Sequence, residues 1–317
     1  MLLTGATGFI GRYALPLLVS HGHEVHAVTR RVRAAGEDSG VIWHEFDLLD
    51  TAAAPDLLSS VGPALLLHLA WDVEPGRFWT SVENVRWVEA TLALMRAFFA
   101  AGGERATLAG TCAEYDWTTG FHPADEPGPP LHEQHTPIAP ATLYGVCKHA
   151  THLVAAELAE HYERQLAWGR VFYLYGPHEQ AGRLVPAIAT SLLAGEPTAT
   201  TDGFQRRDFM HVADVAAAFV ALLESDVEGP VNIATGDAVE VREMVSMIAA
   251  QAGHEELLRW GAIARAPTDP DVIVADVERL RREVGFAPAV PLANGLRETV
   301  EWWRERLAAA AAPGASA

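Results

Sequence analysis

Cysteine is nearly absent: only Cys112 and Cys147 occur in 317 residues. Two isolated thiols give no disulfide framework, the pattern of a chain kept in a reducing compartment. Long apolar runs are missing too, since none approaches the roughly 18 residues a membrane span requires. No charged, apolar, small-residue leader precedes the first strand. Basic residues are scarce, 23 Lys and Arg against 41 Asp and Glu, for a net charge of −18. So acidic a chain lacks the basic face that nonspecific nucleic-acid or anionic-membrane binding needs. A few local arginines still suffice for an anionic ligand. The expectation is a cytoplasmic protein with no membrane and no nucleic-acid partner. Half of the residues are hydrophobic and 20% are charged, which fits one large globular domain or two modest ones. No internal repeat is evident.

The chain opens on Met1-Leu2-Leu3-Thr4-Gly5-Ala6-Thr7-Gly8-Phe9-Ile10-Gly11. Apolar residues run into a glycine-rich turn, and Ile10, Tyr13, Leu17 and Leu18 follow at helical spacing, which predicts strand, tight turn and helix. In that context each glycine has its own task. Gly5 allows the sharp turn, Gly8 lets backbone approach a pyrophosphate, and Gly11 lets the helix lie close on the strand. The free N–H groups and positive dipole end of the new helix face the phosphates. The pattern points to a bound dinucleotide.

A second strand is expected at Glu24–Val28, ending in Thr29-Arg30-Arg31, with Arg33 beyond and no carboxylate before Glu37. The tip of this strand lies beside the adenosine ribose, where an acidic residue takes a free 2′-hydroxyl and an arginine a 2′-phosphate. Arg30 and Arg31 therefore favour NADP(H) over NAD(H). A third strand, Val41–Phe46, ends at Asp47 and Leu48. Asp47 either lies at the adenine edge or caps the following turn. The apolar run Ala64–Ala70 reads as a parallel strand buried on both faces, with Leu69 and Ala70 at its end. A helix from about Val82 to Ala101, with Asn84 near its start, leads to a strand at Thr107–Gly110 ending at Thr111.

Alternating strands and helices predict an α/β fold, a doubly wound parallel sheet of Rossmann type. Gly8, Asp47, Ala70 and Thr111 then fall at the carboxyl ends of strands, where such sheets bind ligands. Residues 117 to 141, rich in Pro, Gly and His, read as a long ordered loop over the site. Beyond it the pattern predicts a helix from Tyr144 to about Arg164 and a strand from Trp168 to Tyr175. Helices follow near Leu184–Leu193, Val212–Leu223 and Val239–Gln251, with short strands near Pro230–Ile233 and Asp271–Ala275 and a closing helix Leu292–Leu307. A dinucleotide unit is expected over 1–172 and about 208–236, a smaller α/β substrate unit over about 173–207 and 237–307, and a disordered tail over 308–317.

Tyr144 and Lys148 are four residues apart, so on a helix they share one face and reach one ligand. A tyrosine with a pKa of about 10 exchanges protons poorly at neutral pH. A neighbouring ammonium and a cationic nicotinamide favour the phenolate and lower that value. Thr111, at a strand end, is placed to hydrogen-bond the same substrate oxygen. The fourteen histidines invite a metal reading at His149/His152 and His132/His135. No third ligand stands at adjacent spacing, so no metal is expected.

Gly5 to Gly11, Thr111 with Tyr115 four residues later, and Pro140-Ala-Thr-Leu-Tyr144-Gly-Val-Cys-Lys148 together resemble the extended short-chain dehydrogenase/reductases. Tyr175-Gly176-Pro177, the segment Gly203 to Val215 with Arg207 and Asp214, and Val231-Asn232-Ile233 resemble their nucleotide-sugar branch, the NAD-dependent epimerase/dehydratase group. The resemblance spans residues 1 to about 305. It implies Thr111, Tyr144 and Lys148 as the catalytic set, with Lys148 also holding the nicotinamide ribose. The cofactor site it implies comprises Gly5, Thr7, Gly8, Phe9, Ile10, Gly11, Arg30, Arg31, Asp47, Leu48, Leu69, Ala70 and Asn84. Tyr144 and Lys148 border the same site. Arg207 and Arg183 are implied as partners of a nucleotide diphosphate, and a homodimer is implied through a four-helix bundle that includes the Tyr144 helix.

Departures from the family pattern narrow the chemistry. Its 4,6-dehydratases carry Asp-Glu directly after the catalytic Thr; here Cys112-Ala113 stand there and Glu114 lies one position too far. No acid/base pair is available to eliminate water. Cys112 also falls one position early for the cysteine of the epimerase-reductases of GDP-fucose synthesis, and Arg183 stands in place of their histidine. Ala266 occupies the position of a family arginine, with Arg265 as its substitute, and Tyr173 replaces an asparagine common in the sugar pocket. The expected function is NADP(H)-dependent reduction of a nucleotide-activated 4-keto-6-deoxyhexose, with Thr111, Tyr173, Arg183, Arg207 and Arg265 on the substrate. The alternative is a nucleotide-sugar 4-epimerase with retained NAD. A noncatalytic NADP-binding sensor is the third reading, and it is disfavoured because Tyr144 and Lys148 are both present.

Overall fold

The computed structural model describes residues 1–30, 40–120 and 129–311. Its first half alternates β1 (Leu2–Thr4), α1 (Gly11–Ser20), β2 (Val25–Thr29), β3 (Val41–Glu45), α2 (Ala54–Val61), β4 (Leu65–His68), α3 (Glu83–Ala100), β5 (Arg105–Thr111), α4 (Leu143–His161) and β6 (Gln165–Val171). The chain continues through β7 (Tyr173–Tyr175), α5 (Leu184–Leu193), β8 (Thr198–Ala199), β9 (Arg206–His211), α6 (Val212–Glu224), β10 (Gly229–Ile233), β11 (Ala238–Glu240), α7 (Val241–Ala252), β12 (Leu258–Arg259), β13 (Val272–Ile273) and α8 (Leu292–Ala311).

Seven parallel strands form the main sheet in the order β10-β6-β5-β4-β1-β2-β3. The order reverses at β1 and β4, which opens the crevice where doubly wound sheets bind ligands. β1 and most of β4 are buried, which is why they read as continuous apolar runs. Leu15 and Leu18 of α1 pack with Val215, Phe219 and Leu222 of α6 on one face. Leu58 of α2, Phe98 of α3 and Ala155 of α4 pack on the other. Helices thus cover both faces of the sheet.

The strand expected from Trp168 to Tyr175 is two strands. The chain leaves the main sheet at Phe172, and β7 pairs with β9 in a second, small sheet that also holds β11 and β13. Tyr173 and Tyr175 therefore belong with Arg207 rather than with Thr111. A separate core of Val185, Ile188, Met244, Val245, Leu296 and Val300 joins α5, α7 and α8 beside that sheet. The expected long loop is pinned by short bridges, Tyr115 to Ile138 and Leu131 to Ala275. The closing helix runs on to Ala311, past its expected end at Leu307 and into the segment expected to be disordered.

Candidate active site

The glycine turn forms the cradle its spacing predicts. Gly5 has φ 72°, and a Cβ on it would meet the Ala70 nitrogen at 2.8 Å, so the turn lies directly on Leu69 and Ala70. A Cβ on Gly11 would come to 2.1 Å from the Gly5 carbonyl, so no larger residue fits there without moving backbone. Thr7 and Gly8 are exposed and Phe9 and Ile10 half-buried around the start of α1. An open, glycine-walled helix N-terminus of this kind fits a dinucleotide pyrophosphate. Arg30 is exposed at the tip of β2, while Arg31 and Arg33 lie outside the described residues. Asp47 accepts the Leu49 N–H at 3.0 Å and so caps its turn beside the buried Leu48. Asn84 is buried and fully engaged, donating to the Phe78 and Ser81 carbonyls at 2.7 and 2.8 Å and accepting the Trp71 Nε1–H at 2.9 Å. It ties down the loop over the site.

Thr111 ends β5, and Tyr144 opens α4. The helix is capped by Thr142, whose Oγ1 accepts the Gly145 N–H at 3.1 Å. A Cβ on Gly145 would lie 2.4 Å from the Ala113 carbonyl, so α4 approaches the end of β5 as closely as glycine allows. That approach puts the Thr111 hydroxyl in a hydrogen bond with the Tyr144 phenol. Burial pushes the phenol up, and the Thr111 bond opposes it. Lys148 is 4% exposed; it donates to the Ala109 carbonyl at 2.9 Å and lies 3.8 Å over the Trp71 ring. Burial pulls its ammonium down to about 7, partly offset by Glu114. The structure thus brings Thr111, Tyr144 and Lys148 together at the mouth of the sheet crevice.

An aromatic wall surrounds Tyr144 that sequence reasoning missed. Phe78, Trp79 and Trp71 stand 4.9, 5.7 and 6.5 Å from its ring, each edge-on, and Trp117 packs against Trp79. Three of these rings lie within residues 71–79, a density of large aromatics that was the available signal. His68, also missed, is buried between the Thr4 and Thr91 hydroxyls at 2.8 and 3.0 Å and held neutral by burial, its pKa pulled down to about 3. Cys112 is buried and its thiol pushed up to about 12, so it stays protonated. Glu114 turns inward to Trp168 and Arg170.

A second region opens beside β9. A cavity of about 290 Å³ is lined by Tyr173, Leu184, Gln205, Arg207, Trp260 and Asp269, among others. Arg207 is 3% exposed and pairs with Asp269, while also donating to the Pro270 carbonyl at 2.8 Å. Arg265 pairs with Asp269 at 3.2 Å and Asp271 at 2.6 Å, so both arginines share one carboxylate. Arg183 stands elsewhere. It donates to the Val73 carbonyl at 2.8 Å and covers the Phe78 ring at 4.8 Å, at the Tyr144 end of the site.

Two groups bring ligand atoms close enough for a metal: Glu114 with His149 and His152, and Glu133 with His132 and Asp276. In the first, Arg170 already holds the Glu114 carboxylate at 3.1 Å, and its positive charge opposes a cation. In the second, His132 Nδ1 accepts the Gln134 N–H at 3.1 Å, which leaves the proton on the other ring nitrogen. Among the described residues, no helix is long and apolar enough to cross a membrane.

Comparison with known proteins agrees with this geometry. Over 315 residues the chain is 26% identical to UDP-glucuronic acid decarboxylase 1 of Xenopus tropicalis, spanning 97% of this chain and 72% of that protein. It is 27% identical to UDP-glucose 4-epimerase of Corynebacterium glutamicum, over 91% of this chain and 90% of the relative. The solved structure of MoeE5 in complex with UDP-glucuronic acid and NAD superposes with a TM-score of 0.80 at 30% identity, covering 96% of this chain and 99% of that one. Residues 1–234 match the model of the NAD dependent epimerase/dehydratase family, and the chain belongs to that family.

Proposed function

We propose that the protein is an NADPH-dependent reductase of a nucleoside-diphosphate 4-keto-6-deoxyhexose. The observation that carries this reading is what faces the substrate beside Thr111. Cys112 is a protonated thiol, Ala113 has no functional group, and Glu114 is tied into the core. Water elimination needs an acid and a base there, and neither is present. Thr111, Tyr144 and Lys148 alone serve hydride chemistry at a carbonyl. The wall of Phe78, Trp79 and Trp117 offers apolar ring faces, suited to the C–H surface of a deoxygenated sugar.

Bound NADPH supplies the hydride. Tyr144 donates its proton to the carbonyl oxygen as the hydride arrives, Thr111 orients that oxygen, and the Lys148 ammonium binds the ribose and stabilises the phenolate left behind. Arg207 receives the diphosphate within its cavity, with Arg265 on the rim, and Tyr173 borders the sugar. Arg183, at the Tyr144 end, reaches the sugar rather than the diphosphate. Arg30 meets the 2′-phosphate. Val82 and Val85 of α3 with Val146, Leu153 and Val154 of α4 form an exposed apolar strip, and we assign it to a homodimer.

A second reading is a 4-epimerase with retained NAD, favoured by the Corynebacterium epimerase and the NAD complex of MoeE5. The same three residues would serve its first half-reaction. The two are separated by incubating the protein with NADPH and thymidine- or uridine-diphosphate 4-keto-6-deoxyhexoses while following absorbance. Stoichiometric NADPH consumption with a reduced sugar as product supports the reductase. Interconversion of UDP-glucose and UDP-galactose without added cofactor overturns it.

A further inference from the structure

Glu114 is an enclosed carboxylate that the proposed chemistry does not touch. It accepts the Thr111 backbone N–H at 2.9 Å, the Trp168 Nε1–H at 2.8 Å and the Arg170 Nε–H at 3.1 Å. Thr111 completes a reciprocal box by accepting the Ala113 N–H on Oγ1 at 3.2 Å. A buried carboxylate is tolerated only where it is paired and hydrogen-bonded, and here each bond runs to the end of β5 or to its neighbour β6. Backbone comes close at the same point, since a Cβ on Gly110 would lie 2.1 Å from Trp168 Nε1 and 2.7 Å from the Glu114 carboxylate. The geometry leaves the end of β5 one path.

On the far side of β5 lies Lys148. The groups facing its ammonium are the Ala109 carbonyl, the Trp71 ring, neutral His68 and Tyr144 on its own helix. Among the described residues, Glu114 is the carboxylate whose field reaches it.

We propose that Glu114 is a positioning residue for the Thr111–Tyr144–Lys148 set. Its carboxylate fixes the backbone that aims the Thr111 hydroxyl at Tyr144, and it supplies the buried negative charge opposite the Lys148 ammonium. This rests on the cofactor and proton roles given above to Lys148 and Tyr144.

The test is the pH dependence of NADPH binding, read by fluorescence in the wild type, Lys148→Met, Glu114→Gln and Trp168→Phe. Binding weakens as pH rises past about 7, where Lys148 loses its charge, because a neutral amine gives up charge-assisted hydrogen bonds. Lys148→Met removes this break. Glu114→Gln moves it lower by about one pH unit, making binding about tenfold weaker between the two midpoints. Trp168→Phe keeps the carboxylate and leaves the break in place. An unmoved break in Glu114→Gln, or an equal shift in Trp168→Phe, overturns the proposal. A break that survives in Lys148→Met overturns instead the cofactor role of Lys148. Should Glu114→Gln fail to fold with Arg170 unpaired, Glu114→Gln/Arg170→Met removes both buried charges and carries the same expectation.

Discussion

At Tyr144 the site is held by long elements, whereas at Arg207 it is held by short ones. α4 runs nineteen residues and β5 seven, and they meet where Gly145 rests on Ala113. Arg207 sits on β9 among strands of two and three residues, and its charge is answered from the irregular segment that carries Asp269. Regular elements fix the relation between residues far apart in sequence. Irregular segments answer a charge with whatever carboxylate they bring. The catalytic end is therefore set by backbone, and the diphosphate end by an exchangeable ion-pair network.

Breaking the backbone-set end should cost most. Tyr144→Phe removes the proton donor but keeps the ring and its aromatic neighbours, so turnover should fall by about 10²–10⁴-fold with nucleotide binding unchanged. Equal nucleotide affinity with full turnover would remove Tyr144 from the chemistry. Next is the ion-pair end. Arg207→Met should weaken binding of the nucleoside diphosphate by about 1.5–3 kcal/mol, the worth of a hydrogen bond to a charged group, and leave NADPH affinity intact. Calorimetric titration with each ligand reads this directly.

Glu179 offers a stability contrast. It is buried with one carboxylate oxygen unpartnered, and burial pushes it up to about 8 from an ordinary 4.5. A carboxyl raised in the folded state contributes stability that is fully present below the unfolded value and lost as pH rises through the folded one. The wild type should therefore lose on the order of 1–3 kcal/mol between about pH 5 and pH 8, and Glu179→Gln should flatten that slope in urea unfolding. Equal slopes would mean that Glu179 finds a partner in solution. The smallest effect is expected at the exposed Arg30. Arg30→Ala should weaken NADPH by about 1 kcal/mol, as befits a solvated pair, and leave NADH unaffected. An unchanged preference would move 2′-phosphate recognition elsewhere.

The same contrast governs what the sequence reveals. Gly5, Gly8 and Gly11 are legible because spacing alone dictates where a Cβ cannot be, and Tyr144 and Lys148 because one helix turn joins them. Thr111 is legible as the end of an apolar run. The break at Phe172 is not, because Trp168–Tyr175 is apolar throughout and nothing in it marks the change of sheet. Arg265 is not legible either. Its partners Asp269 and Asp271 follow it closely in an irregular segment, where no periodicity says which way a side chain turns. Glu114 reads from sequence only as a carboxylate one position too far for catalysis. Its partners Trp168 and Arg170 lie on the neighbouring strand, so its role emerges only once β5 and β6 are paired.

The central claim is hydride delivery from an exchangeable NADPH at the Thr111–Tyr144–Lys148 set. Its most direct test is to denature freshly purified protein and assay the released nicotinamide, then add cofactor back. The account predicts little or no retained cofactor and tighter binding of NADPH than of NADH. Stoichiometric, tightly held NAD⁺ would contradict it and put the epimerase in its place.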